Sequence, residues 1–455
     1  MQIIPYGAAG TVTGSRFLVI SGRRRILVDA GLFQGVKPLR LKNWRPFPVH
    51  PSQIDAVVLT HAHLDHTGYL PVLVREGFKG DVWMSPPTRD LLPILLRDAA
   101  HLQMEDAEYA HRKGYSRHKE PRPLFDERDA EDAIRRFRKI DFGIPREVAG
   151  VMVTLHRSGH LLGAASVHLE DDAGTALFSG DLGRTRDLLV PAPEGRPEAD
   201  RVILESTYGD RVHDNRGTLE RLAEIINEGL ERNGTILIPS FAVGRAQTLA
   251  LALYRLRERG SIPHVPMYLN SPMALAASEV HLQHADELRP SRAELAAALD
   301  AVSPVASAGE SKELNRDHSP KIILAGAGML TGGRILHHLE AFGTNPTTTL
   351  VFAGYQAEGT RGRALLEGDR RVRIHGQWLN LRCQVAMLDT LSGHADQLEL
   401  EQWLASVPVH DVALVHGEPR ALEALRQHLE ERLRIDVEVA EEGRTLGLKP
   451  WEPAP

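Results

Sequence analysis

Short apolar runs, each closed by a polar residue, recur through the first half of the chain and again near its end. Arg25-Ile26-Leu27-Val28 runs into Asp29, and Asp55-Ala56-Val57-Val58-Leu59-Thr60 into His61. Val151-Met152-Val153-Thr154-Leu155 leads through a short loop to His160, and Thr175-Ala176-Leu177-Phe178-Ser179-Gly180 reaches Asp181. Arg201-Val202-Ile203-Leu204 ends at Glu205, and Val412-Ala413-Leu414-Val415 at His416. Runs this short and rich in Val, Ile and Leu read as buried strands of a layered α/β protein. Polar residues just past such strands face one common edge of the fold, where ligands bind. Residues 91–111 and 127–139 alternate apolar and charged positions at helical spacing. They are expected to roof part of the site or to form a solvated helical hairpin.

Residues 211–390 differ in character. A helix near 217–232 precedes a buried strand at 234–239, a glycine-marked turn and a helix from Ser240 onward. Strand-turn units follow at 321–326 and 349–354. Strand-ending metal-type residues resume only near His394 and His416, so this alternation predicts a separate α/β domain inserted into the first. The expected division is 1–208, 209–390 and 391–455, with Lys449–Pro455 a frayed end.

Composition narrows the class. Among 455 residues, 42% are hydrophobic and 25% charged, which excludes a disordered chain, a collagen-like repeat and a disulfide-stapled mini-protein. With 54 Lys+Arg against 60 Asp+Glu the net charge is −6, so nucleic-acid binding has to be local. The single cysteine, Cys383, fits a reducing cytosol. The N-terminus has no signal-peptide pattern and no apolar run approaches the roughly 18–20 residues that span a bilayer, so a cytoplasmic protein without membrane contact is expected.

The chain also carries 22 histidines. The densest group is His61-Ala62-His63-Leu64-Asp65-His66, directly after a strand. In an extended loop residues two apart point the same way, so His61 and His63 can grip one ion. Asp65 and His66 then open a helix and face a second. His160, Asp181 and His416 complete the shells from other strand ends. A mixed His/carboxylate set suits zinc, and two such ions about 3.5–4 Å apart form a clamp for hydrolysis. Asp181 is the natural bridge, and Asp29 orients a ligand rather than binding metal. By contrast His101, His111, His118, His213, His281, His284, His337 and His338 are expected at the surface.

These residues resemble the metallo-β-lactamase superfamily and, within it, the β-CASP nucleases, over nearly the whole chain. Asp29 is similar to motif 1, the His61–His66 run to motif 2, His160 to motif 3 and Asp181 to motif 4. Glu205 in Glu-Ser-Thr-Tyr-Gly-Asp resembles motif A, His394 in Ser-Gly-His-Ala-Asp motif B and His416 motif C. The bacterial and archaeal relatives of the eukaryotic pre-mRNA 3′-end cleavage endonuclease subunit match best. Neither a preceding KH-type extension nor the extra C-terminal domain of the RNase J branch is expected. The resemblance implies an αββα metallo-β-lactamase sandwich with an inserted α/β β-CASP domain. It implies two zinc ions per chain, one on His61, His63, His160 and Asp181, the other on Asp65, His66, Asp181 and His416. It implies a cytoplasmic ribonuclease of RNA processing or decay, with Asp65, Glu205 and His394 catalytic, a metal-activated hydroxide as nucleophile and His394 as general acid beside Glu205. Single-stranded RNA is the partner it implies; a homodimer is left open.

Arg245, Arg334, Arg361 and Arg363 each lie beside glycines, where backbone N–H groups form anion nests, and are expected to line a phosphate cleft. Aromatics total 5%, so no base-stacking platform is signalled. Three readings compete: a small-molecule metallo-hydrolase, a diiron redox protein and a non-catalytic nucleic-acid-binding relative. The inserted domain and the Glu205/His394 pair oppose the first. His63 stands where diiron relatives place an acid, and no flavin domain follows. Scaffolds lose ligands, whereas here every position is filled.

Overall fold

The computed structural model describes residues 1–113, 121–213, 217–388, 391–409 and 411–447; His118 and the tail from Lys449 lie outside them. It divides into two compact units, Met1–Thr185 with Ala192–Val212 and His394–Pro455, and Arg186–Pro191 with His213–Gly393.

The first unit holds two seven-stranded sheets. In chain-neighbour order the first is Leu446–Gly447, Gln2–Pro5, Phe17–Ser21, Arg24–Val28, Ala56–Val58, Asp81–Met84 and Phe137–Lys139. The second is Asp436–Val439, Asp411–Leu414, Arg201–Leu204, Gly174–Phe178, Ala165–Asp171, Val151–Arg157 and Arg146–Val148. Val19, Ile26, Val28 and Val58 from one sheet meet Val153, Leu155, Val167 and Phe178 from the other in a shared core. Helices cover the outer faces: Leu92, Leu96, Ala130 and Ala133 pack over the first sheet, and Leu400, Leu404, Leu422 and Leu425 over the second. This is the αββα sandwich expected. Strands covered on both sides are buried at every position, as Ala56–Val58 and Arg201–Leu204 are.

The helices of the 91–139 stretch are solvated only in part. Helix Pro86–Lys113 packs Leu92, Leu96, Ala99 and Ala100, and helix Glu127–Ile134 packs Ala130 and Ala133, into the core over the first sheet, while the first helix is largely exposed from His101 onward. The second helix stops at Ile134, and Phe137–Lys139 extends the sheet as an edge strand. Periodicity missed that switch because three residues are too few to show a period.

The second unit is a six-stranded sheet, Ser303–Pro304, Met267–Asn270, Lys321–Ala325, Thr235–Pro239, Thr349–Phe352 and Gln384–Met387, with every neighbouring pair parallel. Helices such as Thr218–Glu231 and Arg245–Glu258 bury Leu222, Ile226, Leu249 and Leu253 on one face, and Arg334–Phe342 buries Ile335, Leu339 and Phe342 on the other. Among the described residues no helix is long and apolar enough to cross a membrane.

Candidate metal centre

Parallel neighbours deliver the polar residues to one edge. Val28 pairs with Val58, which places Asp29 beside the Thr60–His61 corner. In the second sheet Phe178 pairs with Ile203, and Leu204 with Leu414, so Asp181, Glu205 and His416 leave three adjacent strands. Two close approaches hold the loops together. A Cβ on Gly31 would stand 1.6 Å from the Asp65 carbonyl oxygen, and one on Gly183 would stand 1.7 Å from that of Gly159. Only glycine allows these loops, which carry Asp65, His160 and Asp181, to touch.

Seven donors form two groups, His61, His63, His160 and Asp181, then Asp65, His66 and His416, each with ligand atoms within 4.8 Å of one another. His63 Nδ1 lies 3.1 Å from His61 Nε2 and 3.2 Å from His160 Nε2. Asp181 Oδ2 lies 3.5 Å from His61 Nε2 and 3.6 Å from His160 Nε2. Its other oxygen, Oδ1, lies 3.3 Å from His66 Nε2, which in turn is 3.3 Å from His416 Nε2. Asp65 Oδ2 stands 3.6 Å from His416 Nε2. One carboxylate therefore faces both groups.

Surrounding hydroxyls and carboxylates set the imidazole tautomers. The Thr60 hydroxyl donates to Asp29 and accepts from His61 Nδ1 at 3.0 Å. His66 Nδ1 donates to Asp29 Oδ2 at 2.6 Å. The Thr207 hydroxyl donates to the His416 carbonyl and accepts from His416 Nδ1 at 3.2 Å. In the neutral form of each of these three rings Nδ1 carries the proton, which turns the Nε2 lone pair toward the cluster.

The charge states agree with a cation site. Burial holds the His61 imidazole well below its ordinary range and His63 down at about 4, so both are neutral ligands. Burial pushes the Asp65 and Asp181 carboxyls up, but the histidines around them outweigh it. Asp65 is held at about 2 and Asp181 well below the usual carboxylate range. His66 goes the other way: burial opposes its charge, but until a metal binds Asp181 and Asp29 outweigh burial and favour the charged ring, and a metal on Nε2 would take the place of that proton. Asp181 Oδ1 is buried and accepts no hydrogen bond. Facing imidazole nitrogens at 3.1–3.3 Å and an orphaned carboxylate oxygen are what a shared cation would satisfy. The donor set therefore fits the metal.

Beside this cluster His394 Nδ1 lies 3.2 Å from Glu205 Oε1 and 3.9 Å from Asp181 Oδ2. Burial lowers its proton affinity, but Glu205 and Asp181 outweigh that and raise it. Glu205 is fully buried and also accepts from the Leu182 and Thr207 amides. Reading the sequence missed what anchors His394. The Ala395 amide donates to the Leu182 carbonyl at 2.7 Å. Asp396 caps helix Gln397–Leu404 in a capping box with Glu399. Buried Glu399 accepts from Arg184 Nε at 2.5 Å and from Thr185. The Asp-x-x-Glu spacing signals the cap; nothing local signals Arg184. Thr60 and Thr207 were missed too, although Thr60 immediately precedes His61.

The four arginines lie in the second unit. Arg334 donates to Asn270 Oδ1 at 2.6 Å and to the carbonyls of Val305, Ala306 and Ser307. Arg361 donates to the carbonyls of Leu330 and Arg373, and Arg363 to Glu367. Arg245 opens helix Arg245–Glu258. Of the arginines expected to line a phosphate cleft, Arg334 and Arg361 have guanidinium groups that donate to carbonyl oxygens of tight turns. Three histidines expected outside are inside: His213, His281 and His338 are buried. His338 lies between Asn270 and Asn315, and His281 donates to the Ala277 carbonyl, hydrogen bonds that composition does not reveal.

Comparison with known proteins agrees with this architecture. Residues 10–228 match the metallo-beta-lactamase superfamily, residues 246–365 the Beta-Casp domain and residues 378–440 the Zn-dependent metallo-hydrolase RNA specificity domain. The chain is 40% identical to Ribonuclease TTHA0252 of Thermus thermophilus, over 93% of this chain and 95% of that protein. It is 30% identical to the transcription termination factor FttA of Methanosarcina mazei, over 96% of this chain and 70% of the relative. The FttA of Pyrococcus abyssi is 32% identical over 92% and 67%. A crystal structure of a protein of unknown function from Enterococcus faecalis shares the fold, with a TM-score of 0.55, 12% identity and coverage of 98% and 99%. The chain belongs to the β-CASP ribonucleases of the metallo-β-lactamase superfamily, a family of metal-dependent hydrolases.

Proposed function

From that membership and this donor set we propose that the protein is a zinc-dependent ribonuclease, acting in the cytoplasm on RNA phosphodiester bonds in processing or decay. One zinc is assigned to His61, His63, His160 and Asp181, and a second to Asp65, His66, Asp181 and His416. When bound, zinc supplies Lewis acidity toward the phosphoryl oxygens and lowers the pKa of a water toward neutrality. The chain's own residues supply the rest. Asp29, Thr60 and Thr207 keep the ligand imidazoles in the Nε2-bare tautomer. Glu205 and Asp181 face His394 Nδ1 and favour its charged form, so the ring can give a proton from Nε2 to the departing ribose oxygen. Leu182 and the Arg184–Glu399 pair position that ring without touching the substrate.

The observation that carries this reading is the single buried Asp181, with one oxygen toward each donor group and the His394–Glu205 pair behind it. A small-molecule hydrolase on the same core gives His394 and Glu205 no task. Asp181→Ala should reduce bound zinc below two ions per chain and bring RNA cleavage to background. Elemental analysis of that variant is the test: two zincs retained would refute the bridging assignment. Wild-type cleavage should vanish with chelator and return with added zinc.

A further inference from the structure

The second unit carries an exposed hairpin, Arg371–Ile374 paired with Gln377–Asn380. Its two faces differ. Val372, Ile374 and Leu379 turn inward and pack with Leu365 and Leu381. Arg371, Arg373, Trp378 and Asn380 belong to the outer face, where Arg373 sits directly opposite Trp378. Trp378 is 58% exposed, and Arg371 lies over its ring at 4.8 Å from the centroid. Among the described residues neither Arg371 nor Arg373 has an ion pair; Arg373 Nε reaches only the Gly376 carbonyl. Glu340 meets the hairpin at its turn, through His375. Residues 361–382 hold six arginines against two acids, a local net of +4 in a chain of net −6. The hairpin is also held in place: Arg361 donates to the Arg373 carbonyl and Arg370 to that of Leu365.

We propose that this outer face is a binding platform for single-stranded RNA, with a base stacking on Trp378 and the flanking phosphates meeting Arg371 and Arg373. An exposed indole braced by a guanidinium offers a π-face to any unpaired base, and unneutralised arginines attract the backbone whatever its sequence. A duplex, whose bases are already stacked, has no use for the indole. The platform rests on the ribonuclease reading for its ligand class, but on its own residues for its place. The low aromatic content does not oppose it, because a single aromatic in the right surroundings is enough for one base.

The test is binding of a fluorescein-labelled, hydrolysis-resistant phosphorothioate oligouridylate to the full chain, followed by the fluorescence anisotropy of the label. Trp378→Ala should weaken binding about tenfold, within the range of a lost base stack, and Trp378→Phe should restore most of it. Arg371→Gln and Arg373→Gln should each flatten the salt dependence by about one counterion set. Duplex RNA should bind Trp378→Ala and wild type alike. Undiminished oligouridylate binding by Trp378→Ala, while wild type still cleaves RNA, overturns the platform alone. A dimer that becomes a monomer in Trp378→Ala makes this face a contact between copies and also overturns it. Absence of RNA cleavage by the zinc-loaded wild type removes the ribonuclease reading and with it the platform's ligand.

Discussion

The strand-end residues of the first unit and the glycine-flanked arginines of the second begin as similar signals, a functional residue type beside a recognisable turn. Their fates differ. A histidine has two ring nitrogens, and once Asp29, Thr60 or Thr207 takes Nδ1 the other has a fixed direction. An arginine has five donors, and a turn has carbonyls to fill them; Arg334 gives its guanidinium to an asparagine and three such carbonyls. Residues with few, directional groups keep the role their position suggests. Residues with many donors are readily absorbed by structure.

The largest expected effect tests the first half of that contrast at the residue nearest the chemistry. His394→Ala should retain both metals and its fold, and lose about 10²–10⁴ in turnover on RNA, the usual range for a general acid. Much of the loss should disappear on a nitrophenyl phosphodiester, whose leaving group needs no proton. Equal losses on the two substrates would make His394 a positioning residue, and full activity on RNA would remove it from the mechanism.

What was legible in the sequence follows the same division. Asp29, His61, Asp181, Glu205 and His416 were readable because a strand fixes where its next residue emerges, and parallel neighbours emerge together. The sandwich and the inserted α/β unit were readable for the same reason, since buried strands and amphipathic helices are local patterns. The supports were not. Arg184 and Glu399 lie 215 positions apart and Asn270 and His338 68 apart, and no local pattern encodes a bond of that span. The exposed Trp378, braced by Arg371, was overlooked because composition averages over the chain, whereas the character of a surface depends on a few neighbours.

A smaller effect is expected at the Arg184–Glu399 pair, where a many-donor residue serves the site from behind. Both side chains are nearly buried, at 4% and 8% exposure. Removing one partner of such a pair strands the other, so Glu399→Ala should cost about 3–5 kcal/mol in urea unfolding. Glu399→Gln keeps the capping hydrogen bonds but not the charge and should cost less. In both, loosening of His394 should lower kcat on RNA more than on the nitrophenyl ester. If stability falls and kcat keeps the same ratio on the two substrates, the pair only stabilises the fold.

The smallest effect on function is expected at Arg334, where the contrast is sharpest. Its guanidinium donates to Asn270 Oδ1, the Asn270 amide nitrogen then donates to His338 Nε2 at 2.8 Å, and His338 Nδ1 donates to Asn315 Oδ1. That chain fixes His338 as a neutral, Nδ1-protonated ring, and burial keeps it neutral by lowering its pKa to about 4. Arg334→Ala breaks the relay at its charged end and leaves the carbonyls of Val305, Ala306 and Ser307 without that donor. Charged hydrogen bonds are worth about 1.5–3 kcal/mol each, but the exposed side of this site lets water replace part of the loss. A cost of about 1–3 kcal/mol to the full chain in urea unfolding is therefore expected. RNA binding should keep the wild-type salt slope, because no phosphate contact has been removed. A flatter slope at unchanged stability would return Arg334 to the phosphate-binding role its Gly-Gly-Arg setting first suggested.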